Sequence, residues 1–156
     1  MEIVIRKLQG NRAAPMDLLL EADPSEQNIN QYLKKGTVFL AELEKNKAGV
    51  MVLMPISPAS MEIMNLAVDE KFRGKGIAKK LIAYAKQACA DQNMDFLEIG
   101  TGNSSLEQLA LYQKCGFRMQ KVIENYFIAH YPEPIFENGI QCMDMVRLKM
   151  QIKKDS

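Results

Sequence analysis

Hydrophobic residues recur along this chain with two periods, and the two periods predict its secondary structure. Alternation of apolar and polar residues is typical of strands that are buried on one face. It begins around Ile3 and Ile5, which predicts a first strand near the N-terminus. The further predicted strands cover residues 37–42, 49–54, 61–68, 94–101, 117–119, 122–128 and 142–150.

Apolar residues spaced three and four positions apart predict four helices. The first covers residues 13–22, and the second begins after Asp23 as N-cap and ends at Gly36. The third covers residues 77–93 and has the most regular apolar stripe. The fourth begins at the capping box Ser104-Ser105-Leu106-Glu107 and ends at Gly116.

The predicted element order is β-α-α-β-β-β-α-β-α-β-β, with a proline-bearing loop before the last strand. This order favours an α/β (α+β) fold in which helices flank a mixed, mostly antiparallel sheet. The chain has 156 residues, without a repeat or a linker. We therefore expect one domain that covers residues 1–156.

Composition narrows the classes of partner. The net charge is +1, so the chain as a whole has no attraction to nucleic acid or to a membrane surface. No apolar run is long enough to span a bilayer, and the N-terminus lacks the layout of a signal peptide. The cysteines are three in number and lack C-x-x-C spacing, which favours reduced thiols, a cytoplasmic location and no metal site. Whether the chain forms a homodimer stays open.

The segment from Asn65 to Ile77 is the most informative in the chain. An apolar strand, which includes Leu66, Ala67 and Val68, runs into a basic turn with two glycines, and the turn opens a helix. Free N–H groups and the helix dipole make such a junction suited to phosphate. The glycine spacing fits neither the dinucleotide fingerprint nor the P-loop.

Two short motifs identify a family. The run Arg73-Gly74-Lys75-Gly76-Ile77-Ala78 matches R-x-x-G-x-A, and residues 110–117 match A-x-Y-x-x-x-G-F. Both resemble signatures of the GCN5-related N-acetyltransferase (GNAT) superfamily, in the expected order and at the expected separation. The resemblance covers roughly residues 3–149. It implies an acyltransferase that moves an acetyl group from the cosubstrate acetyl-CoA directly to a primary amine of a small molecule or peptide.

The resemblance also implies site residues. Arg73, Gly74, Lys75, Gly76, Ile77 and Ala78 would hold the pyrophosphate, and Leu66, Ala67 and Val68 would pair with the pantetheine arm. Asn103 and Ser104 are further candidates for that arm, although helix capping explains them equally well. For Lys75, Lys79 and Lys80, a phosphate contact and a solvated helix face are both open.

Two residues are candidates for catalysis. Tyr112 resembles the family tyrosine that protonates the departing thiolate, and the alternative is an aromatic ring that fills the core. Glu62 falls where one branch of the family has a catalytic glutamate, and the alternative is a solvated strand end. Strand alternation predicts that Glu62, Met64 and Leu66 share one face. Glu98 is the competing carboxylate.

The loop from Tyr126 to Asn138 contains Tyr126, His130, Tyr131, Glu133 and Glu137 but no Lys or Arg. Aromatic rings and carboxylates favour a cationic amine as acceptor. The alternative is an acidic surface loop. Two other functions stay open for the whole chain: a non-catalytic acyl-CoA-binding regulatory module on the same fold, and a nucleotide-binding domain.

Overall fold

The computed structural model describes residues 2–11 and 13–153, so both ends of the predicted domain lie outside the described residues. In chain order its elements are β1 (Ile3–Lys7), α1 (Met16–Ala22), α2 (Glu26–Leu33), β2 (Thr37–Leu43), β3 (Asn46–Pro55), β4 (Ser60–Val68), α3 (Ile77–Asp91), β5 (Phe96–Gly102), α4 (Leu106–Lys114), β6 (Arg118–Ile123), α5 (Tyr126–His130), β7 (Ile135–Glu137), β8 (Ile140–Cys142) and β9 (Met145–Gln151). A single 3₁₀ turn, Glu70–Phe72, lies between β4 and α3.

Seven strands form one sheet in the order β1-β2-β3-β4-β5-β9-β6, and β7 pairs with β8 in a separate hairpin. Neighbouring strands are antiparallel except β4 and β5, which are parallel. Parallel neighbours need a crossover connection, and α3 provides it. The predicted α+β fold with a mostly antiparallel sheet is confirmed.

Two hydrophobic clusters cover the faces of this sheet. Along β3, Val50 and Val52 pack with α1 and α2, whereas Met51 and Leu53 pack with α3. This alternation follows from the period of two in a strand. The stripe predicted on the third helix is confirmed, since its residues Ile77, Leu81, Ile82, Ala85 and Cys89 are buried. Burying one such leucine or isoleucine stabilises the fold by roughly 1.5–3 kcal/mol.

Strand β4 contains a β-bulge at Met64. Val52 of β3 pairs with Asn65. The next residue of β3, Leu53, pairs with Ile63. Met64 is therefore the extra residue that opposes no partner, and a bulge of this kind changes the twist and direction of its strand.

The bulge changes which face each later residue of β4 occupies. Met64 packs with the α1–α2 cluster, whereas Leu66 packs with the α3 cluster. The prediction that Glu62, Met64 and Leu66 share a face is therefore wrong for Leu66. Strict alternation assumes a regular pleat, and an inserted residue interrupts it.

Beyond the bulge, β4 and β5 separate. Their parallel pairing runs from Ser60 and Phe96 to Ile63 and Ile99, and ends there. Strand β4 continues to Val68 along β3, and β5 continues to Gly102 along β9. Beyond Ile63 and Ile99, the facing edges of these two central strands are therefore not joined by ladder hydrogen bonds.

Two predicted helix starts are wrong in detail. Ser25, and not Asp23, caps α2, and its hydroxyl accepts a hydrogen bond from the Asn28 N–H at 3.1 Å. The predicted capping box does not form, because α4 begins after Ser105 without a side-chain cap. In both places the observed N-cap lies within two residues of the predicted one. Several neighbouring Ser and Asp residues could each cap the helix, so the sequence alone does not distinguish them.

The predicted strand over residues 122–128 is also wrong. Residues 118–123 form one bulged strand, and the chain then turns through Asn125, which has a left-handed φ of 61°, into α5. The Asn125 N–H donates to the Asp144 carboxylate at 2.8 Å, a contact from a distant part of the chain. The predicted loop before the last strand contains the β7–β8 hairpin. None of the helices within residues 2–11 and 13–153 has the length and apolar character needed to cross a membrane.

Candidate active site

The start of α3 presents a row of free backbone donors. Gly74 and Gly76 have left-handed φ values of 79° and 80°, which other residues rarely adopt. The N–H groups of residues 74–79 form no hydrogen bond within the described part of the chain. Unpaired donors and the positive end of a helix dipole together favour an anion here.

The basic side chains around this helix start are not equivalent. Arg73, Lys75 and Lys79 are exposed, and their charges add to the field of the free N–H groups. The Lys80 ammonium instead donates to the carbonyl of Ile3 at 3.3 Å. Lys80 therefore holds β1 against α3, which favours the structural explanation for that lysine.

The opening between β4 and β5 leads into this helix start. Leu66, Ala67 and Val68 lie on β4 after its pairing with β5 has ended, so the edge of β4 that faces β5 lacks a partner strand there. An extended chain with its own donors and acceptors can pair with such an edge. The edge and the anion site are joined by only one 3₁₀ turn and a short loop.

A large cavity of about 1390 Å³ extends from this opening. Its walls come from α1, α2, β4, β5, α4 and α5 and from the segment after α5. Among the predicted site residues, it is lined by Glu62, Leu66, Tyr112, Tyr126, His130, Tyr131 and Glu133. The fold therefore brings together residues that lie up to 71 positions apart in sequence (133 − 62 = 71).

Tyr112 lies at the wall of this cavity on α4. Its side chain is 5% exposed and packs edge-to-face against Phe117, with ring centroids 5.9 Å apart. Burial, and to a smaller extent the nearby Cys115, raises the pKa of Tyr112 above its usual range. The hydroxyl forms no hydrogen bond with the described residues, so it is a protonated donor that is free to serve a ligand.

Glu62 belongs to a three-residue charge cluster that spans β4, β5 and β9. Arg147 donates from Nη1 and Nη2 to the two carboxylate oxygens of Glu62, both at 2.9 Å. Its Nη2 also donates to Glu98 at 3.2 Å. These charge-assisted contacts, mainly the one with Glu62, raise the pKa of Arg147. Glu62 is thus a paired carboxylate on the cavity wall, with side-chain exposure of 15%.

Asn103 is hydrogen-bonded within the fold, and Ser104 is buried in it. The Asn103 side chain donates to the carbonyl of Gln141 at 3.0 Å. Its oxygen accepts from the N–H groups of Met143 and Asp144 at 2.8 and 3.0 Å. Ser104 is fully buried. The contacts of Asn103 favour a structural role for its side chain, which holds the β8–β9 connection against the end of β5. The Ser104 hydroxyl has no hydrogen-bond partner of normal geometry among the described residues.

The cavity wall opposite β4 is held by a network around Asp23. Its carboxylate accepts from the hydroxyls of Tyr32 and Tyr131 at 3.1 and 2.8 Å. Asn65 donates to the Tyr32 hydroxyl at 2.9 Å and to the carbonyl of Leu19 at 3.0 Å. Burial raises the pKa of both tyrosines. The network ties the α1–α2 connection to the residue after the β4 bulge and to the segment after α5.

Helix α5 brings two more predicted residues to the cavity. The rings of Tyr126 and His130 are stacked with centroids 4.2 Å apart, and the His130 Nδ1 lies 2.8 Å from the Tyr126 carbonyl. Burial raises the pKa of Tyr126, and the charges of Asp23 and Glu62 add to that shift. Glu137 accepts a hydrogen bond from the Ser105 hydroxyl at 2.7 Å, which anchors the β7–β8 hairpin.

Three residues of this site were missed by reasoning from sequence. Arg147 alternates with Val146 and Leu148 and therefore resembles a solvent-facing strand residue. The sequence predicts Asp23 as a helix N-cap and places Asn65 within the apolar strand over residues 61–68. Only the Asn65 amide, a polar group on a buried strand, offered a local signal. Among the described residues, no group of His, Cys, Asp and Glu side chains is arranged to hold a metal ion.

Comparison with known proteins agrees with this geometry. Residues 34–119 match the family model described as an acetyltransferase (GNAT) domain. An uncharacterized N-acetyltransferase of Bacillus subtilis, YvbK, is 48% identical over 136 residues, which are 87% of this chain and 88% of that protein.

Solved structures show the same architecture. An IAA acetyltransferase from Bacillus cereus superposes with a TM-score of 0.93 at 49% identity, over 96% of this chain and 99% of the other. A GNAT family acetyltransferase from Elizabethkingia anophelis, solved with acetyl-CoA bound, gives 0.92 at 44% identity, over 96% and 97% of the two chains.

Proposed function

This chain belongs to the GNAT acetyltransferase family, and we propose that it transfers the acetyl group of acetyl-CoA directly to a primary amine of a small molecule or peptide. The family and the acetyl-CoA bound to a relative at 44% identity support acetyl-CoA as the cosubstrate. The finer parts of the proposal, which are the site residues and the acceptor, rest on the geometry of this chain.

The observation that carries the proposal is the separation of β4 from β5 next to the α3 start. A thioester with a long polar arm and a pyrophosphate needs two kinds of contact. The free edge of β4 over Leu66, Ala67 and Val68 suits the arm. The free N–H groups of residues 74–79 suit the pyrophosphate, with Arg73 and Lys75 adding positive charge. The β4 edge and the start of α3 are neighbours, so one extended ligand could place its arm along the edge and its pyrophosphate at the helix start.

Tyr112 is proposed as the general acid. Acetyl-CoA supplies an activated acetyl group, and its thiol leaves as a thiolate that needs a proton. Tyr112 carries its proton at neutral pH, as an ordinary tyrosine does, and burial raises its pKa further. Its free hydroxyl on the cavity wall can donate that proton. A backbone N–H on the free β4 edge would bind the developing negative charge on the thioester oxygen.

Glu62 is proposed as the general base. The attacking amine must lose a proton, and Glu62 is a carboxylate on the cavity wall. Its two hydrogen bonds from Arg147 leave further lone pairs on the carboxylate for the amine or a bridging water. Glu62→Gln is expected to lower kcat most at low pH, where the acceptor is largely protonated. A pH–rate profile identical to that of the wild type would assign the role to Glu98 or to water.

An acceptor with a second positive charge fits this cavity. Six carboxylate residues line it: Glu21, Asp23, Glu26, Glu62, Glu133 and Glu137. Only Lys34 and Lys35 are cationic in the same lining. Tyr126, His130 and Tyr131 contribute aromatic rings, which can contact a cation through their faces. We therefore propose a diamine, polyamine, aminoglycoside or basic peptide in preference to a neutral mono-amine.

An acetyl-CoA assay over a panel of amines tests the proposed function. Thiol release would be followed with polyamines, aminoglycosides, amino acids and peptide N-termini, each with wild type and with Tyr112→Phe. Turnover of at least one amine, lost in the variant, is the expected result. Tight acetyl-CoA binding without thiol release on any amine would favour the acyl-CoA-binding regulatory module.

The charge preference has its own control. Glu133→Gln is expected to raise KM for the dicationic acceptors and to leave neutral amines unaffected, since Glu133 lines the cavity. The matched variant Glu124→Gln removes a carboxylate that lies outside the lining. The preference is refuted if a neutral mono-amine reacts faster than every polycation and both variants behave as wild type.

A further inference from the structure

We propose that Arg147 is a positioning residue that controls the orientation and charge of Glu62, and that Gly100 makes this contact possible. The proposal rests on the proposed function, in which Glu62 accepts the proton of the amine. It assigns roles to two residues on β9 and β5 for which neither motif of the sequence offers a signal.

The need for a cation arises from the strand register. Glu62 of β4 and Glu98 of β5 are direct partners in the parallel ladder. Two carboxylates side by side on one face repel each other. Arg147 bonds to both, with contacts of 2.9 Å to Glu62 and 3.2 Å to Glu98. The guanidinium therefore allows the two carboxylates to be charged as neighbours.

The contact requires the arginine to pass across β5. Arg147 is the direct partner of Gly100 in the β5–β9 ladder. A Cβ on Gly100 would lie 3.0 Å from Nη1 of Arg147 and 2.8 Å from the sulfur of Met145. The backbone of Gly100 needs no left-handed φ, so the space that glycine leaves for the Arg147 guanidinium and the Met145 side chain is the physical reason for glycine here. Gly100 also lines the cavity beside Glu62.

The cluster suits a carboxylate that takes up and releases a proton. When the amine N–H bond breaks and an O–H bond forms on Glu62, the charge of the three residues changes from −1 to 0. Arg147 keeps Glu98 as an ionised partner in both states, so proton uptake leaves no buried guanidinium without a counter-ion. A simple ion pair of Glu62 and Arg147 would lack this property.

The charged and titratable groups around Glu62 come from three elements. They are Arg147 on β9, Glu98 on β5 and Tyr126 on α5, whose pKa is raised in part by Glu62. Lys149, two residues along β9 from Arg147, has its ammonium 3.9 Å from the ring centroid of Phe96. Lys149 is the direct ladder partner of Glu98, so it is a second cation near the cluster, although its ammonium contacts the Phe96 ring.

The first test needs no acceptor. Carboxyl ¹³C NMR on protein with labelled glutamate, assigned with Glu62→Gln and Glu98→Gln, follows the titration of Glu62. Arg147→Gln is expected to move the Glu62 midpoint to higher pH than in wild type, because two adjacent carboxylates hold a proton more tightly. Adding Glu98→Gln should reverse part of that shift. Lys149→Gln removes a neighbouring cation that does not contact Glu62, and it should move the midpoint less than Arg147→Gln does.

The second test is kinetic and uses the amine with the fastest turnover in the panel. Arg147→Lys keeps the charge but loses the two-pronged contact. We expect kcat to fall roughly 10–100-fold, because misplacing a catalytic group by about 1 Å costs that much. The affinity for acetyl-CoA should stay unchanged. Gly100→Ala should also lower kcat, but by a smaller factor, because its Cβ would displace the guanidinium without removing it. This variant provides the kinetic test if the Arg147 variants fail to fold.

The outcomes separate the two proposals. Wild-type kcat and an unchanged Glu62 midpoint in Arg147→Gln and Arg147→Lys would overturn the role of Arg147. In Arg147→Gln, which removes the charge, a loss of kcat without any movement of the midpoint or of the acidic limb would also overturn it, since that result describes a structural residue. Full activity of Glu62→Gln at every pH would instead refute the base assignment, while the NMR titration still decides whether Arg147 controls Glu62.

Discussion

Replacing Tyr112 with phenylalanine removes the hydroxyl that we propose as the acid and keeps the ring that packs in the core, so it distinguishes a catalytic role from a packing role. The ring is buried in the core cluster around α3 and against Phe117, and phenylalanine keeps that ring. The hydroxyl forms no hydrogen bond within the described residues, so its removal breaks none. We therefore expect the free energy of unfolding to change by less than about 1 kcal/mol.

The effect on turnover should be much larger. General acid catalysis contributes roughly 10²–10⁴-fold to a rate. At about 1.36 kcal/mol for each factor of ten, this is about 2.7–5.4 kcal/mol of transition-state stabilisation. Tyr112→Phe should therefore lower kcat by at least about 100-fold while the Kd for acetyl-CoA stays within a few-fold of wild type.

The assay combines thiol release, calorimetry with CoA and a denaturant titration on the same preparations. Tyr84→Phe is the matched control, because Tyr84 lies on α3, is 46% exposed and lies outside the cavity lining. It should behave as wild type in all three measurements. A kcat of Tyr112→Phe within a few-fold of wild type, in a stable protein, would mean that Tyr112 only fills the core.

Three further predictions follow from single groups. Gly76→Asp should weaken CoA binding in calorimetry by at least tenfold, because the new carboxylate repels the pyrophosphate. Gly10→Asp, at another exposed glycine with a positive φ, should leave the affinity for CoA unchanged. Equal affinity in both variants would contradict the anion site. Burial raises the pKa of Tyr32, Tyr112 and Tyr131 above the usual 10.0, so their contribution to stability is complete below pH 10 and declines as pH rises further. A thermal melt at a series of pH values should therefore show Tm falling as pH rises above 10, and falling less in Tyr112→Phe. Cys89 is fully buried, and burial raises its pKa to about 11, so iodoacetamide at pH 8 should modify it only after denaturation. Peptide mass spectrometry that finds Cys89 labelled in the native protein would refute this.

The sequence pattern predicted correctly those features that depend on residues close together in the chain. The apolar stripe of α3 predicted its buried face, because a helix presents residues three and four apart on one side. The two glycines before α3 predicted a turn with free donors, because glycine accepts the left-handed φ values found there. The strand-helix order predicted an α+β fold with a mostly antiparallel sheet.

Local pattern failed where distant contacts decide. Residues 122–128 are mostly Val, Ile, Tyr and Phe, which are common in strands, but Asp144 accepts from the Asn125 N–H and the chain enters α5. The caps of α2 and α4 shifted by one or two residues because several neighbours could serve. These errors concern the side of the cavity where we place the acceptor, so the shape of the acceptor site was beyond the reach of pattern alone.

The sequence by itself determined the family, the fold class and the glycine-bearing turn at which we propose phosphate binding, since each depends on short runs of residues whose spacing is chemically specific. Tertiary structure alone decided how the candidate catalytic groups are paired. The bulge at Met64 depends on the register of two strands, and it changes the face of every residue after it. Arg147 meets Glu62 across 85 residues of chain, through a gap that the missing side chain of Gly100 leaves open. Such contacts join residues whose neighbours in sequence look like an ordinary strand, and therefore they become visible only when the sheet is assembled.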